Sequence, residues 1–338
     1  MVNIKDVAAE VGVSAKTVSR VVNGESAVKP QTRKRIEEAI EKLGYVPNQA
    51  ARLVRTNRSR VLGILTDFVS TTPYSVEIIR GIQDRIAETD HSLLIANTAG
   101  DPAMERRIWQ TFREHRIDGV FYATMYHRHV AFDFDHPPLP MILVNCSSPD
   151  HPELPSVVPD DYEGGYEAAR YAIEQGHRAI AYITLNPLIL AAELRDAAFR
   201  AALSDHHVPP QEKWIRPGIV GEIGKEEVVA FAEALALLGG KAKKKPTAIV
   251  CGNDEIALQV LCAALSLGLR IPQDVAIIGY DDFHVISMLV EPKLTTVALP
   301  YYEMGRRAGD NMMAVLSGAD MISRVEKIPC PLVKRASA

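Results

Sequence analysis

Near its start the chain reads Ile4-Lys5-Asp6-Val7-Ala8-Ala9-Glu10-Val11-Gly12-Val13-Ser14-Ala15-Lys16-Thr17-Val18-Ser19-Arg20-Val21-Val22-Asn23-Gly24. The apolar residues at 4, 7, 8 and 11 have the spacing of one helix face. Gly12 stands where a helix end favours left-handed backbone. Ser14 can cap a second helix by accepting a hydrogen bond from a free backbone N–H, and valines at 18, 21 and 22 would face inward. The stretch therefore predicts two short helices joined by a tight turn.

A third helix is predicted from Pro30, which suits a first helical position, to Gly44, which would end it. Two short helices joined by a glycine-containing turn and supported by a third are typical of a helix-turn-helix. The recognition helix would run from about 14 to 22, and its outer face would suit base edges and phosphates in the major groove. That face holds Ala15, Lys16, Ser19 and Arg20. The alternative is a three-helix bundle that binds protein.

Charge supports the first interpretation. The formal net charge of the chain is −4, yet in residues 1–60 lysine and arginine outnumber aspartate and glutamate twelve to six. The rest of the chain is therefore acidic, and a basic end on an acidic body indicates a polyanion-binding module. A solvated charged face would give the same charge balance, so the sequence pattern has to decide between them.

Length and composition limit the class of protein. The chain has 338 residues, of which 47% are hydrophobic and 24% charged, as in folded soluble proteins. This length predicts two or three domains. No apolar run is long enough to span a membrane, and the first residues carry no apolar signal region, so we expect a cytoplasmic, nucleoid-associated protein. The four cysteines are far apart, at 146, 251, 262 and 330, which argues against a disulfide framework or a zinc site.

The remainder alternates short β-branched runs with amphipathic stretches. Strands are predicted at 61–65, 92–96, 119–123, 141–145, 179–184, 248–251 and 275–279, and helices at 75–89, 105–115, 164–174, 188–204, 225–238 and 255–267. Runs that are apolar throughout indicate parallel strands covered on both faces. We therefore expect an α/β body of two doubly wound parallel-sheet subdomains, with a cleft between them that can close on a small molecule.

Polar residues that follow the predicted strands are the candidates for ligand binding, because ligands of such sheets bind beyond the carboxyl ends of the strands. These residues are Asp67, Tyr74, Tyr126, Asn145, Asn253, Asp254, Asp281 and Asp282. Carboxylate and amide oxygens opposite an arginine can satisfy several hydroxyls, and an aromatic ring can cover an apolar sugar face. The alternative for each aspartate is helix capping or turn formation.

The N-terminal pattern resembles the headpiece of the lactose/galactose-repressor (LacI/GalR) family. The resemblance rests on Ile4–Ala8, Gly12-Val13-Ser14 and Thr17–Gly24, and continues through Thr32-Arg33, Gly44-Tyr45, Pro47-Asn48 and Ala51-Arg52. It implies that Ala15, Lys16 and Arg20 read bases and that Thr17, Ser19 and Asn23 hold phosphates. We also expect a phosphate contact from Ser14.

The resemblance further implies a hinge helix at 47–60 that folds on operator DNA and inserts a leucine into the minor groove, where such wedges kink the duplex. The expected hinge residues are Asn48, Ala51, Arg52, Leu53 and Val54. Here Val54 stands where leucine is usual, and Leu53 where a small residue is common. The alternative for this stretch is an exposed linker.

The resemblance extends over the body, through stretches such as Gly176–Ala181, Ile271–Val275, Gly279–Asp282 and Leu294–Val297. It implies that Arg195, Asn253 and Asp281 bind effector hydroxyls, that Asn145 lies beside an often acidic ligand position, and that Asp67 and Tyr74 lie in the loop that lines the other side. The implied division is a headpiece (1–46), a hinge (47–60) and a body (61–338). We expect the first subdomain of the body at about 61–161 and 292–320, and the second at about 162–291 and 321–338.

None of the other patterns in the sequence is typical of an enzyme. His127-Arg128-His129 and His206-His207 lack a paired ligand at metal spacing and are interpreted as solvated loops, and no nucleophile or phosphate-loop motif is present. We therefore predict a dimeric regulator without metal or cofactor, most simply a repressor that a small molecule releases from a near-palindromic operator. The dimer is expected because the family's tetramerising tail has no counterpart after Val333.

A carbohydrate is the expected effector, with a nucleobase next. The open alternatives are a corepressor-type response, a sugar-binding transport receptor and a cytoplasmic sugar-modifying enzyme.

Overall fold

The computed structural model describes residues 2–22, 25–45, 58–72, 75–240, 244–319 and 325–338. The chain forms two compact units, Met1–Ser59 and Arg60–Ala338. Within the described residues, no helix is both long enough and apolar enough to cross a membrane.

In its described residues, the first unit forms the helices α1 (Ile4–Val11), α2 (Ala15–Val22) and α3 (Pro30–Leu43). Gly12 ends α1 with a φ of 73°, and the backbone N–H of Thr17 donates to the Ser14 hydroxyl (3.1 Å), as the cap pattern predicts. The three helices close on a small core of valines together with Ile36 and Ala39. The guanidinium of Arg35 ties α3 to the end of α1 by donating to the Val11 carbonyl (2.9 Å). The predicted helix-turn-helix is confirmed.

The first half of the second unit forms five strands of a six-stranded sheet, and the sixth strand comes from near the end of the chain. Its elements in chain order are β1 (Val61–Thr66), α4 (Val76–Ala87), β2 (Ser92–Asn97), α5 (Pro102–Glu114), β3 (Gly119–His129), β4 (Met141–Ser147) and β5 (Ser156–Pro159). Successive side chains of β1 point to opposite faces: Leu62 and Ile64 pack towards α4, whereas Leu65 packs with Phe112 of α5. Both faces of the sheet are therefore covered, which explains the continuous apolar runs.

The next part of the chain forms five strands of a second six-stranded sheet, together with its helices and a separate two-stranded hairpin. Its elements are α6 (Asp161–Glu174), β6 (Ile180–Thr184), α7 (Leu190–Asp205), β7 (Ile215–Pro217), β8 (Ile219–Val220), β9 (Glu227–Val228), α8 (Ala230–Gly239), β10 (Ala248–Cys251), α9 (Asp254–Ser266), β11 (Ala276–Asp281), α10 (His284–Ser287) and β12 (Thr295–Ala298). The chain ends with α11 (Tyr301–Ser317), β13 (Val325–Ile328) and β14 (Leu332–Val333). The strand order is β13-β5-β4-β3-β1-β2 in the first sheet and β14-β12-β11-β10-β6-β7 in the second. The pairings are parallel except for β14 against β12 and the separate β8–β9 hairpin.

The chain passes between the two sheets at three places, of which the second and third differ from the predicted boundaries. β12 lies in the second sheet although 292–320 was assigned to the first subdomain, and β13 lies in the first sheet although 321–338 was assigned to the second. The crossings therefore follow β5, β12 and β13. A short β-branched run does not indicate which sheet it will join. The prediction therefore puts these two strands in the wrong subdomain.

One predicted helix begins later than expected. Residues 225–229 were assigned to a helix, but Glu227–Val228 pair with Ile219–Val220 as a short hairpin, and the helix begins at Ala230. The pairing and the left-handed Gly224 (φ 87°) turn the chain before the helix can start.

Helices α4 and α11 cross at two glycines. A methyl group at Gly81 would lie 2.1 Å from the Tyr302 carbonyl oxygen, and one at Gly305 would lie 2.2 Å from the Ile78 carbonyl oxygen. Only glycine allows the two backbones to approach this closely. This close contact holds α11 against the first sheet. Helix α11 begins just after the chain has passed from the second sheet back to the first.

Candidate functional site

The outer face of α2 carries the side chains predicted to read DNA. Lys16 and Ser14 are exposed, and Ala15, Thr17, Ser19 and Arg20 are partly exposed, whereas Val18 and Val21 are buried. The Arg20 Nε lies 3.6 Å from the Glu25 carboxylate in the following loop. The helix thus presents small, cationic and hydroxyl side chains on one side, as a major groove requires.

Several predicted nucleic-acid contacts cannot be placed. Asn23 and the hinge residues Asn48, Ala51, Arg52, Leu53 and Val54 lie outside the described residues.

In the body, a narrow cavity lies between the two sheets, with about 380 Å³ of empty space when the solvent at its mouth is included. The first sheet supplies one wall, the second sheet the other, and residues at two of the crossings complete it. The lining residues are Met125, Tyr126, His127, Asn145, Pro159, Leu185, Ile189, Ala191, Arg195, Asn253, Asp281, Leu299 and Tyr301. The structure therefore brings together five of the seven predicted effector residues.

Arg195 is the most constrained group in the cavity. Its side chain is 5% exposed, its Nε and Nη2 lie 2.7 Å from Asp161 Oδ1, and its Nη1 donates to the Gly252 carbonyl (2.6 Å). The guanidinium carbon lies 3.4 Å from the centre of the Tyr280 ring, so the plane of the group is fixed by stacking as well. A buried arginine held in this way can present its remaining N–H groups to a ligand in one orientation.

Asp161 connects Arg195 to the other sheet. It is fully buried at the first turn of α6, and Nδ1 of His127 on β3 donates to its Oδ2 (2.6 Å). Burial acts to raise the pKa of Asp161, but the charge of Arg195 and the hydrogen bonds from His127 and Arg195 outweigh it, so the pKa is lowered. The hydrogen bond from His127 therefore joins β3 of the first sheet to the Asp161–Arg195 ion pair, which lies after the first crossing of the chain.

Asp281 faces Arg195 from the end of β11, with its Oδ1 4.0 Å from Nη1. Burial raises the pKa of Asp281 well above its usual value, the charge of Arg195 opposes this, and the nearby Asp254, Glu255 and Asp161 reinforce it. Its backbone has a φ of 120°, and Asn145 in the opposite wall has a φ of 59°. Backbone of this kind is concentrated at functional sites.

The two asparagines are each anchored at one end. The Asn145 amide nitrogen donates to the Thr124 and Met125 carbonyls (3.0 and 2.9 Å), so its oxygen is the group it can offer. Asn253 caps α9, because its Oδ1 accepts from the Ile256 N–H (2.9 Å), so its NH₂ is the group it can offer. Tyr126 packs against cores of both sheets, and its pKa is raised by burial and by Glu226.

The other predicted residues lie elsewhere. Asp67 is not among the described residues that line the cavity, since its carboxylate accepts from the Met125 N–H (2.9 Å) and from Arg128 Nη2 (3.2 Å). Asp254 accepts from the Thr296 hydroxyl (2.6 Å) and the Phe283 N–H (2.8 Å), and Asp282 pairs with Arg335 (2.7 Å). Tyr74 lies outside the described residues.

The prediction that His127 lies in a solvated loop was wrong. Strand β3 continues to His129 after a register shift between Ala123 and Arg128, which places His127 in the cavity at 6% exposure. His129 is exposed, as are His206 and His207. Asp161 and Tyr301 were missed as well, because each is brought to the cavity by a crossing of the chain. In the described ranges, no three His, Cys, Asp or Glu side chains come together as a metal ion would need.

Comparison with known proteins agrees with this architecture. Residues 3–48 match the description "Bacterial regulatory proteins, lacI family", and residues 169–338 match a periplasmic binding protein-like domain. The sucrose operon repressor of Escherichia coli is 33% identical over 339 residues, which cover 100% of each chain.

Two solved structures are also similar. A transcriptional regulator of the LacI family from Rhizobium etli is 46% identical, over 83% of this chain and 99% of that one, with a TM-score of 0.78. The transcriptional regulator CelR in complex with cellobiose is 26% identical, over 100% of both chains, with a TM-score of 0.68. With its helix-turn-helix headpiece and two-sheet body, this chain belongs to the lacI family of bacterial regulatory proteins, which are DNA-binding regulators of transcription.

Proposed function

We propose that this chain is a repressor that a carbohydrate releases from its operator, and that it is not an enzyme. The observation that carries the proposal is the polar lining of the cavity. Buried Arg195, paired with Asp161, lies there with Asn253 and Asp281 of the second sheet, and Asn145 of the first sheet lies in the opposite wall. Oriented donors and acceptors on both sides, beside the Tyr126 and Tyr301 rings, suit a molecule with many hydroxyls and apolar C–H faces. Two of the similar proteins support this class of effector, since one represses a sucrose operon and another is bound to cellobiose.

The response follows from thermodynamic linkage. The cavity is lined by both sheets and by Pro159, Leu299 and Tyr301 at the crossings, so a ligand favours one relative position of the subdomains. If that position disfavours the hinge, the ligand weakens operator binding by the same factor by which the operator weakens ligand binding, typically about 5–150-fold. The division that we propose is a headpiece at 1–46, a hinge at 47–60 and a body from 61 onwards, acting on DNA in the cytoplasm.

We further propose that the protein binds a near-palindromic operator as a homodimer, because two recognition helices related by a two-fold axis read two half-sites. Three large apolar side chains in and just after α10 support a partner surface: Val285, Met288 and Leu289 are 61%, 40% and 75% exposed. Exposed apolar clusters of this kind mark interaction sites.

The test has two steps. First, genomic fragments are selected on the purified protein at physiological salt, and a preferred fragment is expected over random DNA. Second, a thermal-shift screen of mono- and oligosaccharides identifies binders, and each is titrated into the operator complex. Release of the operator supports the repressor, tightening supports a corepressor response, and recovery of a chemically altered sugar would favour the enzyme. The absence of any preferred fragment would overturn the proposal.

The Arg195→Ala variant links the two steps. Because Arg195 lies in the cavity and the headpiece is a separate unit, this variant is expected to lose the response to the sugar while it keeps nearly normal operator affinity.

A further inference from the structure

A second pocket opens beside the effector cavity. This outer pocket encloses about 540 Å³, is open to solvent, and is lined by Arg128, His129, Pro187, Leu188, Ile189, Leu190, Glu193 and Ile223. Ile189, which is 4% exposed, lines both spaces, so the two are neighbours on either side of one side chain.

We propose that the effector has two joined units, and that the outer pocket binds the second unit of a neutral disaccharide or longer oligosaccharide. This inference rests on the proposed function, because it assigns the first unit to the cavity around Arg195. It adds a subsite, the residues that form it and the size of the ligand.

The two spaces lie in line along the same elements. On β3, Tyr126 and His127 line the cavity, whereas the next residues, Arg128 and His129, line the outer pocket. From Tyr126 to His129 the strand advances about 10 Å, which is close to the length of two joined hexose rings. On helix α7, Ala191 and Arg195 line the cavity, whereas Leu190 and Glu193, on another face of the helix, line the outer pocket.

The chemistry of the outer pocket fits a sugar ring. Leu188 is 61% exposed at its rim, and Pro187, Leu190 and Ile223 add apolar surface for the C–H face of a ring. Polar groups stand beside this surface. Arg128, whose Nη2 donates to Asp67 (3.2 Å), brings a hydrogen-bond donor to the lining, and Glu193 brings a carboxylate acceptor.

The charges of the pocket exclude a phosphorylated sugar as the preferred ligand. Glu193 places a carboxylate in the same pocket as Arg128, so an anionic group would meet repulsion as well as attraction. A neutral unit can instead donate a hydroxyl to Glu193 and accept from Arg128 or His129.

The experiment measures affinities by isothermal titration calorimetry on the full chain, with sucrose, cellobiose, maltose, lactose, trehalose and melibiose, and with glucose, fructose and galactose as their component monosaccharides. At least one disaccharide is expected to bind ten-fold or more tightly than either component. Glu193→Ala and His129→Ala, both at exposed positions, are expected to remove most of that advantage and to leave the affinity for the monosaccharides within two-fold. Glu227→Ala, an exposed glutamate that lines neither space, serves as the matched control and is expected to change neither affinity.

Two results would overturn the inference alone: a monosaccharide that binds as tightly as every disaccharide, or a Glu193→Ala variant that weakens both classes equally. Binding of none of these sugars by a protein that still selects an operator would overturn the carbohydrate effector of the proposed function, and this inference with it.

Discussion

Nδ1 of His127 lies 2.6 Å from Oδ2 of Asp161, and both side chains are buried. His127 belongs to β3 of the first sheet, whereas Asp161 begins α6, the first helix after the chain has crossed to the second sheet. The other oxygen of Asp161 binds Arg195. The hydrogen bond from His127 therefore connects Arg195, in one wall of the cavity, to β3 in the other wall. A ligand that displaces His127 or Asp161 therefore changes a contact between the subdomains.

A double-mutant cycle on Asp161 and Arg195 tests this ion pair. Either Asp161→Asn or Arg195→Met leaves the other partner buried without its counter-charge, so each is expected to lower the free energy of unfolding by about 3–5 kcal/mol. The double variant is expected to lose less than the sum of the two. Urea unfolding of the body can be followed by tryptophan fluorescence, because both tryptophans of the chain, Trp109 and Trp214, lie in it. Strictly additive losses would contradict the coupling.

Asp254 gives the body a pH-dependent stability. Burial raises its pKa to about 7, against hydrogen bonds from Thr296 and Phe283 that lower it. Between the ordinary value of 3.8 and about 7 the folded protein holds a proton that the unfolded chain has released. The free energy of unfolding therefore falls as pH rises through this range, by at most about 1.4 kcal/mol per pH unit from this group.

Asp254→Asn is expected to flatten that slope between pH 5 and 7, and a smaller slope should remain because the pKa of Asp281 is raised as well. Asp274→Asn is the matched control. Hydrogen bonds from Arg270 lower the pKa of Asp274 to about 2. The stability that Asp274 contributes is therefore lost only below pH 3.8, the ordinary pKa of the group. Urea midpoints measured across the range check both variants, and an unchanged slope in Asp254→Asn would refute the assignment.

The sequence predicts well what depends on nearby residues. The end of α1 at Gly12 and the cap of α2 at Ser14 are predicted from residues a few positions away, and the structure has both. Asn145, Asn253 and Asp281 could be found because the ends of parallel strands meet at one edge of a sheet. The first rule depends on nearby residues alone, and the second requires only that the strands are parallel.

What the sequence missed depends on distant pairings. His127 and Asp161 are 34 residues apart, and nothing near either residue indicates the other. The strands at 295–298 and 325–328 could not be assigned to a sheet for the same reason, because their partners are chosen by the crossings. The burial of His127 depends on the register shift in β3, and that shift is set by the pairing of β3 with β4.

Lys16 is expected to read one base pair of each half-site. Lys16→Ala should cost about 1–3 kcal/mol of binding and relax the preference at one operator position. Binding to a library of operators with single substitutions measures both effects. Lys34→Ala on α3, whose side chain is 79% exposed beside Glu38, is the control and should change no base preference. A loss that is equal on all sequences would make Lys16 a phosphate contact.

The crossing of α4 and α11 should tolerate no methyl group. Gly305→Ala is expected to lower the free energy of unfolding by about 1–3 kcal/mol, since the new carbon would meet the Ile78 carbonyl of a packed backbone. Gly239→Ala at the last residue of α8 is the control, because the new methyl group would meet only the terminal methyl groups of the exposed Leu267 side chain, 3.3 Å away at the nearest. It should therefore be neutral, or stabilising by up to about 1 kcal/mol through helix propensity. Equal losses in the two variants would show that α11 is insensitive to this contact.

The apolar cluster of Val285, Met288 and Leu289 is expected to bury itself against a second copy of the chain. A charge at Leu289, which is 75% exposed, would cost little in a monomer but would be repeated by symmetry in a dimer. Leu289→Asp should therefore sediment as a monomer at micromolar concentration and bind a full operator roughly 100-fold or more weakly, because the two headpieces no longer act together. Phe231→Asp on α8, where the side chain is 37% exposed, controls for the added charge and should leave the sedimentation coefficient unchanged. If Leu289→Asp sedimented like the wild type, the dimer surface would have to lie elsewhere.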